Sequence, residues 1–265
     1  MTQMSDVCDF EVRAFGCQIQ VSTTSPEASA ILNRYIFPSF PRTAGGNRSD
    51  VSICITREAG HFQLVVDDAL VASDAQPTGL VPDLVRVVDE AVIQRLTTLR
   101  AVHAGAVLWD GRVLLLPGAT HAGKSSLVAE LLRRGATYYS DEYALIDAEG
   151  RAHPYPRPLL LRNGSPTQVP MLPEECNAPV GDSAAPIGWI LALRYVPHSP
   201  WSVSAICQSE AVVVLLQNTP HFLAETPEML QSFQRAVAGT ASYIGCQSNV
   251  PQAADEILKI IGIPI

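Results

Sequence analysis

Gly118, Gly123, Lys124 and Ser125 stand at the spacing G-x-x-x-x-G-K-S. That spacing lets a loop turn successive backbone N–H groups onto a phosphate. A lysine there neutralises β- and γ-phosphate charge, and the serine hydroxyl ligates Mg2+. The run Gly118, Ala119, Thr120, His121, Ala122, Gly123, Lys124, Ser125 and Ser126 is therefore a candidate nucleotide-binding segment. Two carboxylates, Asp141 and Glu142, follow 17 and 18 residues after Lys124. At a strand end beside the loop they could hold Mg2+ or take a proton from an attacking hydroxyl. Arg157 and Arg162, in "YPRPLLLRNG", could clamp an acceptor or a γ-phosphate by bidentate contacts. The chemistry that these types suit is phosphoryl transfer.

The elements around the motif have the order this chemistry needs. An apolar strand, Val113 to Leu116, runs into the loop, and an apolar helix, Leu127 to Leu132, leaves it. Such a helix aims its positive end at a bound phosphate. Gly135 supplies a left-handed C-cap, and a return strand brings Asp141 and Glu142 back to the loop. Upstream, "AVHAGAVLWDGRVLLLPG" reads as two strands about an Asp110-Gly111 turn. Downstream, a strand pair turns at Glu149-Gly150. "GWILALRYV", "WSVSAIC" and "SYIGCQ" read as strands, and "SEAVVVLLQN", "TPEMLQSFQRAVAG" and "PQAADEILKIIG" as helices.

The first hundred residues carry no phosphate or acidic signature. "FEVRAF" and "CQIQVS" alternate around Gly16 as a hairpin, and Ser25-Pro26 opens a helix. A meander over 51–73 turns at Ala59-Gly60 and Asp67-Asp68. Val81, Leu84, Val85, Val88, Val92, Leu96 and Leu99 recur at helical spacing, which predicts one long helix over 81–99 joining two halves. The expected division is an α+β lobe over 1–100, suited to acceptor recognition, and a catalytic domain over 101–265. The class is α/β, with a sheet that hairpins make mixed rather than purely parallel.

Composition removes several alternatives. The chain has 265 residues, 47% hydrophobic and 17% charged, with a formal net charge of −8. No basic field exists to collect nucleic-acid phosphates, so no nucleic-acid partner is expected. No apolar run reaches the length of a bilayer span, and no secretion signal opens the chain, so no membrane association and a cytoplasmic location are expected. The six cysteines are scattered without C-x-x-C pairs and read as reduced, packed thiols. No LSGGQ-like segment precedes the acidic pair and no N-K-x-D guanine reader is present, against transport-ATPase and GTPase readings.

The run "HAGAVLWDGRVLLLPGATHAGKSSLVAELLRRGATYYSDEYALID" resembles the catalytic core of HPr kinase/phosphorylase and its shorter relatives, including kinase-like proteins of lasso-peptide-type clusters. The shared pattern is a His at the start of the strand pair, the loop, a helix ending in R-G, and an acidic pair. It is specific from about Ala101 to Asp147, looser beyond, and absent from the first hundred residues. The resemblance implies a P-loop, HPr kinase/PEP carboxykinase-like mixed sheet with flanking helices, next to a small N-terminal α+β lobe. It implies a kinase that uses ATP and Mg2+ to phosphorylate a serine-type hydroxyl on a protein or peptide. Lys124 and Ser125 would hold phosphate and Mg2+, Asp141 would be the catalytic carboxylate or its partner, and His103 would support the acceptor side. Glu142 takes the place of the family's second Asp and would share the metal. Three departures set this chain apart: Glu at 142, His121 inside the loop, and no later glycine-rich acidic segment, for which Glu174 and Glu175 are only candidate substitutes. Phosphorylase activity is therefore not expected. The alternative is a catalytically silent nucleotide-binding regulator or peptide-binding accessory protein.

Overall fold

The computed structural model describes residues 8–36, 40–43, 49–119, 122–162, 167–221, 223 and 226–263. The chain divides into two compact units, residues 1–96 with 162–170 and residues 97–161 with 171–265. The break falls between Leu96 and Thr97, and the short segment 162–170 groups with the first unit.

In the first unit, β1 (Cys8–Ala14) and β2 (Cys17–Thr23) form the expected hairpin, turned at Phe15-Gly16. Helix α1 (Pro26–Tyr35) starts where Ser25 Oγ accepts from Ala28 N. Strands β3 (Arg42–Thr43), β4 (Val51–Glu58), β5 (His61–Val66) and β6 (Ala69–Asp74) complete a sheet of order β3-β1-β2-β4-β5-β6. Only the β2–β4 pairing is parallel. Helix α2 (Val81–Ile93) is shorter than its apolar period predicts. Arg95 Nη1 donates to Ala91 O at 3.0 Å and closes the helix, and the β-branched Thr97-Thr98 pair disfavours its continuation.

In the second unit, β7 (Arg100–Trp109) and β8 (Arg112–Pro117) pair about the Asp110-Gly111 turn. Then follow α3 (Lys124–Arg133), β9 (Thr137–Ser140), β10 (Tyr143–Ile146), β11 (Arg151–His153) and β12 (Leu159–Leu161). Beyond β13 (Val169–Met171) come β14 (Ala185–Tyr195), β15 (Ser202–Ala205), α4 (Gln208–Gln217), α5 (Pro227–Val237), β16 (Ala241–Gln247) and α6 (Val250–Ile261). The sheet order is β11-β10-β7-β8-β14-β16-β15, with β9 also on β7 and β11 also on β14. β8, β14 and β16 run parallel, and the hairpins make the rest antiparallel, so the sheet is mixed.

Helices cover both faces, which explains the unbroken apolar run of β8. Leu114 and Leu116 pack with α3 and α6, while Val113 and Leu115 pack with α4 and α5. Gly105 sits where α3 approaches β7 most closely: a Cβ there would lie 2.6 Å from Val128 Cγ2. The parallel strands β8, β14 and β16 deliver their carboxyl ends to one side, the side where the loop after β8 turns into α3. Ligands of α/β sheets bind at such ends. Among the described residues no helix is long and apolar enough to cross a membrane.

Candidate functional site

The centre of the site is the start of α3. Gly123 adopts the left-handed conformation, with φ 83°, and no side chain caps the helix. Glycine offers no side chain to cap α3, whereas Ser25, Thr226 and Asn249 cap α1, α5 and α6. Lys124 is 8% exposed, and its ammonium lies 2.9 Å from Gly118 O and 3.1 Å from Ala119 O. Burial, the largest influence, lowers the Lys124 pKa; the Glu142 and Asp141 charges oppose that, and Arg157 adds to it.

Strand β7 brings His103 to the same point. His103 Nε2 lies 3.1 Å from Lys124 Nζ and 2.8 Å from Glu142 Oε1. One ring nitrogen cannot serve both: with a proton it donates to Glu142, without one it accepts from Lys124. The backbone holds His103 in place, its N–H donating to Asn218 O at 2.7 Å and its carbonyl accepting from Gly118 N at 3.3 Å.

Asp141 and Glu142 occupy the gap between β9 and β10, where β7 changes partners. Ser140 Oγ accepts from the N–H groups of Glu142 and Tyr143 and shapes this gap. The two carboxylates face different surroundings. Asp141 is fully buried; Arg157 Nη1 lies 3.3 Å from its Oδ1, and the Tyr138 hydroxyl lies 3.1 Å from the same oxygen. Its Oδ2 has no hydrogen bond among the described residues. Burial raises the Asp141 pKa above the ordinary value; Arg157 opposes this, Glu142 adds to it, and hydrogen bonds from Ser125 and Tyr138 oppose it. The Glu142 side chain keeps 32% exposure. Burial alone would raise its pKa, yet the His103 hydrogen bond and the charges of Arg157, His103 and Lys124 together bring it down to about 2.

A cleft of about 370 Å³ opens over this group, lined by His103, Glu142, Tyr143, Asn218 and His221. A larger one, about 740 Å³, shares Ala119, Gln217 and Asn218 with it and is lined also by Gly118, Ala122, Arg194, Tyr195 and Cys246. Among the described residues no cluster of three or more His, Cys, Asp or Glu forms a metal cage from protein ligands alone. Two carboxylates and a hydroxyl suit a cation that also takes phosphate oxygens and water.

His103, Lys124, Asp141, Glu142 and Arg157 thus meet at one place, with the Ser125 hydroxyl against Asp141. Gly118, Ala119, Ala122, Gly123 and Ser126 lie on the loop and the first turn that carry Lys124. Thr120 and His121 lie outside the described residues. Arg157 is 5% exposed and engaged with both carboxylates, so it is a partner of the acidic pair rather than an open clamp. Arg162 is exposed and belongs to the first unit, outside this cluster. Glu174 and Glu175 lie in a short 3-10 helix ending at Cys176, whose thiol lies 4.0 Å from Ala129 O, midway along α3. Tyr138 and Asn218 enter the site without any sequence motif, Tyr138 from three positions before Asp141 and Asn218 through a long-range contact with His103.

The structure is similar to that of the HPr(Ser) kinase/phosphatase from Coxiella burnetii, at 16% sequence identity and a TM-score of 0.29, over 62% of this chain and 99% of that one. A superposition that loose assigns no role to any residue. No family model matches the sequence. No curated protein matches it.

Proposed function

We propose that this protein is an ATP- and Mg2+-dependent kinase that transfers the γ-phosphate to a serine-type hydroxyl of a protein or peptide. The observation that carries the reading is the convergence of Lys124 Nζ and Glu142 Oε1 on His103 Nε2, at 3.1 and 2.8 Å, beside the uncapped start of α3. A cation for phosphate charge and a base for a hydroxyl stand side by side there.

The surroundings of the two carboxylates support a division of labour. Glu142 and His103 line the smaller cleft, so an acceptor hydroxyl entering it meets them first. The hydroxyl proton passes to the Glu142 carboxylate as the hydroxyl oxygen attacks the γ-phosphorus, and the bond to the ADP oxygen breaks. A general base of this kind contributes about 10²–10⁴-fold. Asp141, buried and held by Arg157 and Tyr138, is the partner that fixes the site. Lys124 and the α3 N–H groups neutralise charge on the transferring group, and positioning supplies most of the remaining catalysis. The buried Asp141 Oδ2, without a hydrogen bond among the described residues, fits a cation. Bound by Ser125, Asp141 and Glu142, Mg2+ would supply further neutralisation at the β- and γ-phosphates. The larger cleft suits the rest of the nucleotide. The first unit, which shares none of this cluster, is proposed to recognise the acceptor.

The test is ADP release from Mg-ATP with and without a candidate acceptor peptide, read beside the peptide's mass. ADP that tracks phosphopeptide one for one supports the kinase. Phosphate release that no acceptor changes would mean an ATPase. Tight ATP binding without ADP under any condition would favour the silent regulator.

A further inference from the structure

Gln247 ends β16, in register with Tyr195 of β14, on the carboxyl side of the parallel strands. Its main chain is satisfied, since its carbonyl accepts from Val196 N at 2.9 Å. Its side chain is not. Gln247 is 1% exposed, and neither Oε1 nor Nε2 has a hydrogen bond among the described residues. The polar residues that follow are all engaged: Ser248 Oγ donates to Ser199 O at 2.7 Å, and Asn249 Oδ1 accepts from Gln252 N at 3.0 Å to cap α6. A buried carboxamide with no partner at either end is rare in a folded protein, and it marks a place where a partner is missing.

The amide also has a direction. A Cβ built on Gly123 would lie 3.1 Å from Gln247 Nε2, so the carboxamide abuts the residue that opens α3. Gly123 is the left-handed hinge from which the uncapped N–H groups of the helix emerge. An unsatisfied amide donor therefore stands against the glycine from which the N–H groups of α3 emerge. The Nε2 amino group and the helix N–H groups lack the same thing, an acceptor, and a phosphate oxygen provides it.

We infer that Gln247 is a nucleotide-binding residue, its carboxamide donating to a phosphate oxygen of the nucleotide held at the start of α3. The inference rests on the reading of this loop as a phosphate site and extends it to the end of a strand 123 residues downstream of Lys124. A phosphorylated nucleotide is the chemical class required, because an amide N–H adds most to an acceptor that is already charged. Gly123 is needed on this account for space as well as for conformation.

The experiment is calorimetric titration of Mg-ATP and Mg-ADP into the full chain as wild type, Gln247→Leu, Gln247→Met and Lys124→Ala, with thermal melts in the absence of nucleotide. Leu and Met keep the volume and remove two buried polar atoms without partners, so nucleotide-free melting should occur at the wild-type temperature or above. Affinity for both nucleotides should nevertheless fall about tenfold or more, the scale of a lost hydrogen bond to a charged group. Higher or equal melting with weaker binding is a combination that a packing role cannot produce. If one variant fails to melt cooperatively, the other carries the test. Wild-type affinity in a folded Gln247 variant, with binding lost in Lys124→Ala, overturns the Gln247 assignment and leaves the phosphate loop standing. Failure of the wild type to bind either nucleotide overturns both.

Discussion

His103 and Glu142 are 39 positions apart in the chain, yet their side chains meet at 2.8 Å, and the same imidazole nitrogen lies 3.1 Å from Lys124 Nζ. Register explains the meeting: β10 pairs antiparallel with β7 so that Tyr143 stands opposite His103, and Glu142 precedes it. One imidazole nitrogen thus stands between the Lys124 ammonium and the Glu142 carboxylate.

Glu142→Gln tests the base. The amide keeps the shape but cannot take a proton, so transfer to an acceptor peptide should fall at least about a hundredfold. Nucleotide binding, measured by calorimetry, should change far less. Normal turnover in this variant, with Asp141→Asn inactive, would move the base to Asp141.

Lys124→Ala tests the phosphate loop. The ammonium is buried against Gly118 O, Ala119 O and His103, and no other cation is fixed by the loop motif. Loss of nucleotide binding and of all transfer is expected, because the phosphate charge goes unneutralised. Undiminished turnover would remove the loop from the mechanism.

Arg157→Met tests what holds Asp141. Removing one partner of a buried ion pair costs about 3–5 kcal/mol, because the other charge stays behind. Asp141 can escape that cost by binding a proton. The loss of stability, measured by denaturant unfolding, should therefore be larger at about pH 8 than at about pH 5. An equal loss at both would show that Asp141 is neutral in the wild type as well.

Acid unfolding tests the Glu142 environment. Its folded pKa of about 2 lies below the ordinary 4.5, so the stability it contributes is present above pH 4.5 and is lost as pH falls toward 2. Asp141, with its pKa raised, works in the opposite direction and gains as pH falls. Melting temperatures of wild type and Glu142→Gln should therefore differ at neutral pH and converge between about pH 4.5 and 2. Parallel curves would show that Glu142 is not held ionised by the site.

Local chemistry determined much of this molecule from its sequence. The turns at Phe15-Gly16, Ala59-Gly60 and Asp110-Gly111 were legible because each holds a glycine, which takes positive φ freely, and all six residues adopt it. Ser25, Thr226 and Asn249 open helices because a short polar side chain satisfies a first-turn N–H. The reading of Gly118 to Ser126 as a phosphate loop also rests on adjacent residues, and it stands as part of the proposed function. The end of α2 was not, because an apolar period runs on past Ile93 while Arg95 and two threonines stop the helix. Tertiary structure alone decided which carboxylate stays accessible. Asp141 and Glu142 are neighbours of similar type, and only the gap between β9 and β10 sends one into the core beside Arg157 and leaves the other at the cleft with His103. It also decided that Arg157 belongs to the acidic pair, that Arg162 does not, and that Gln247 abuts Gly123. Desolvation and pairing are properties of position in space, and sequence spacing carries no record of them.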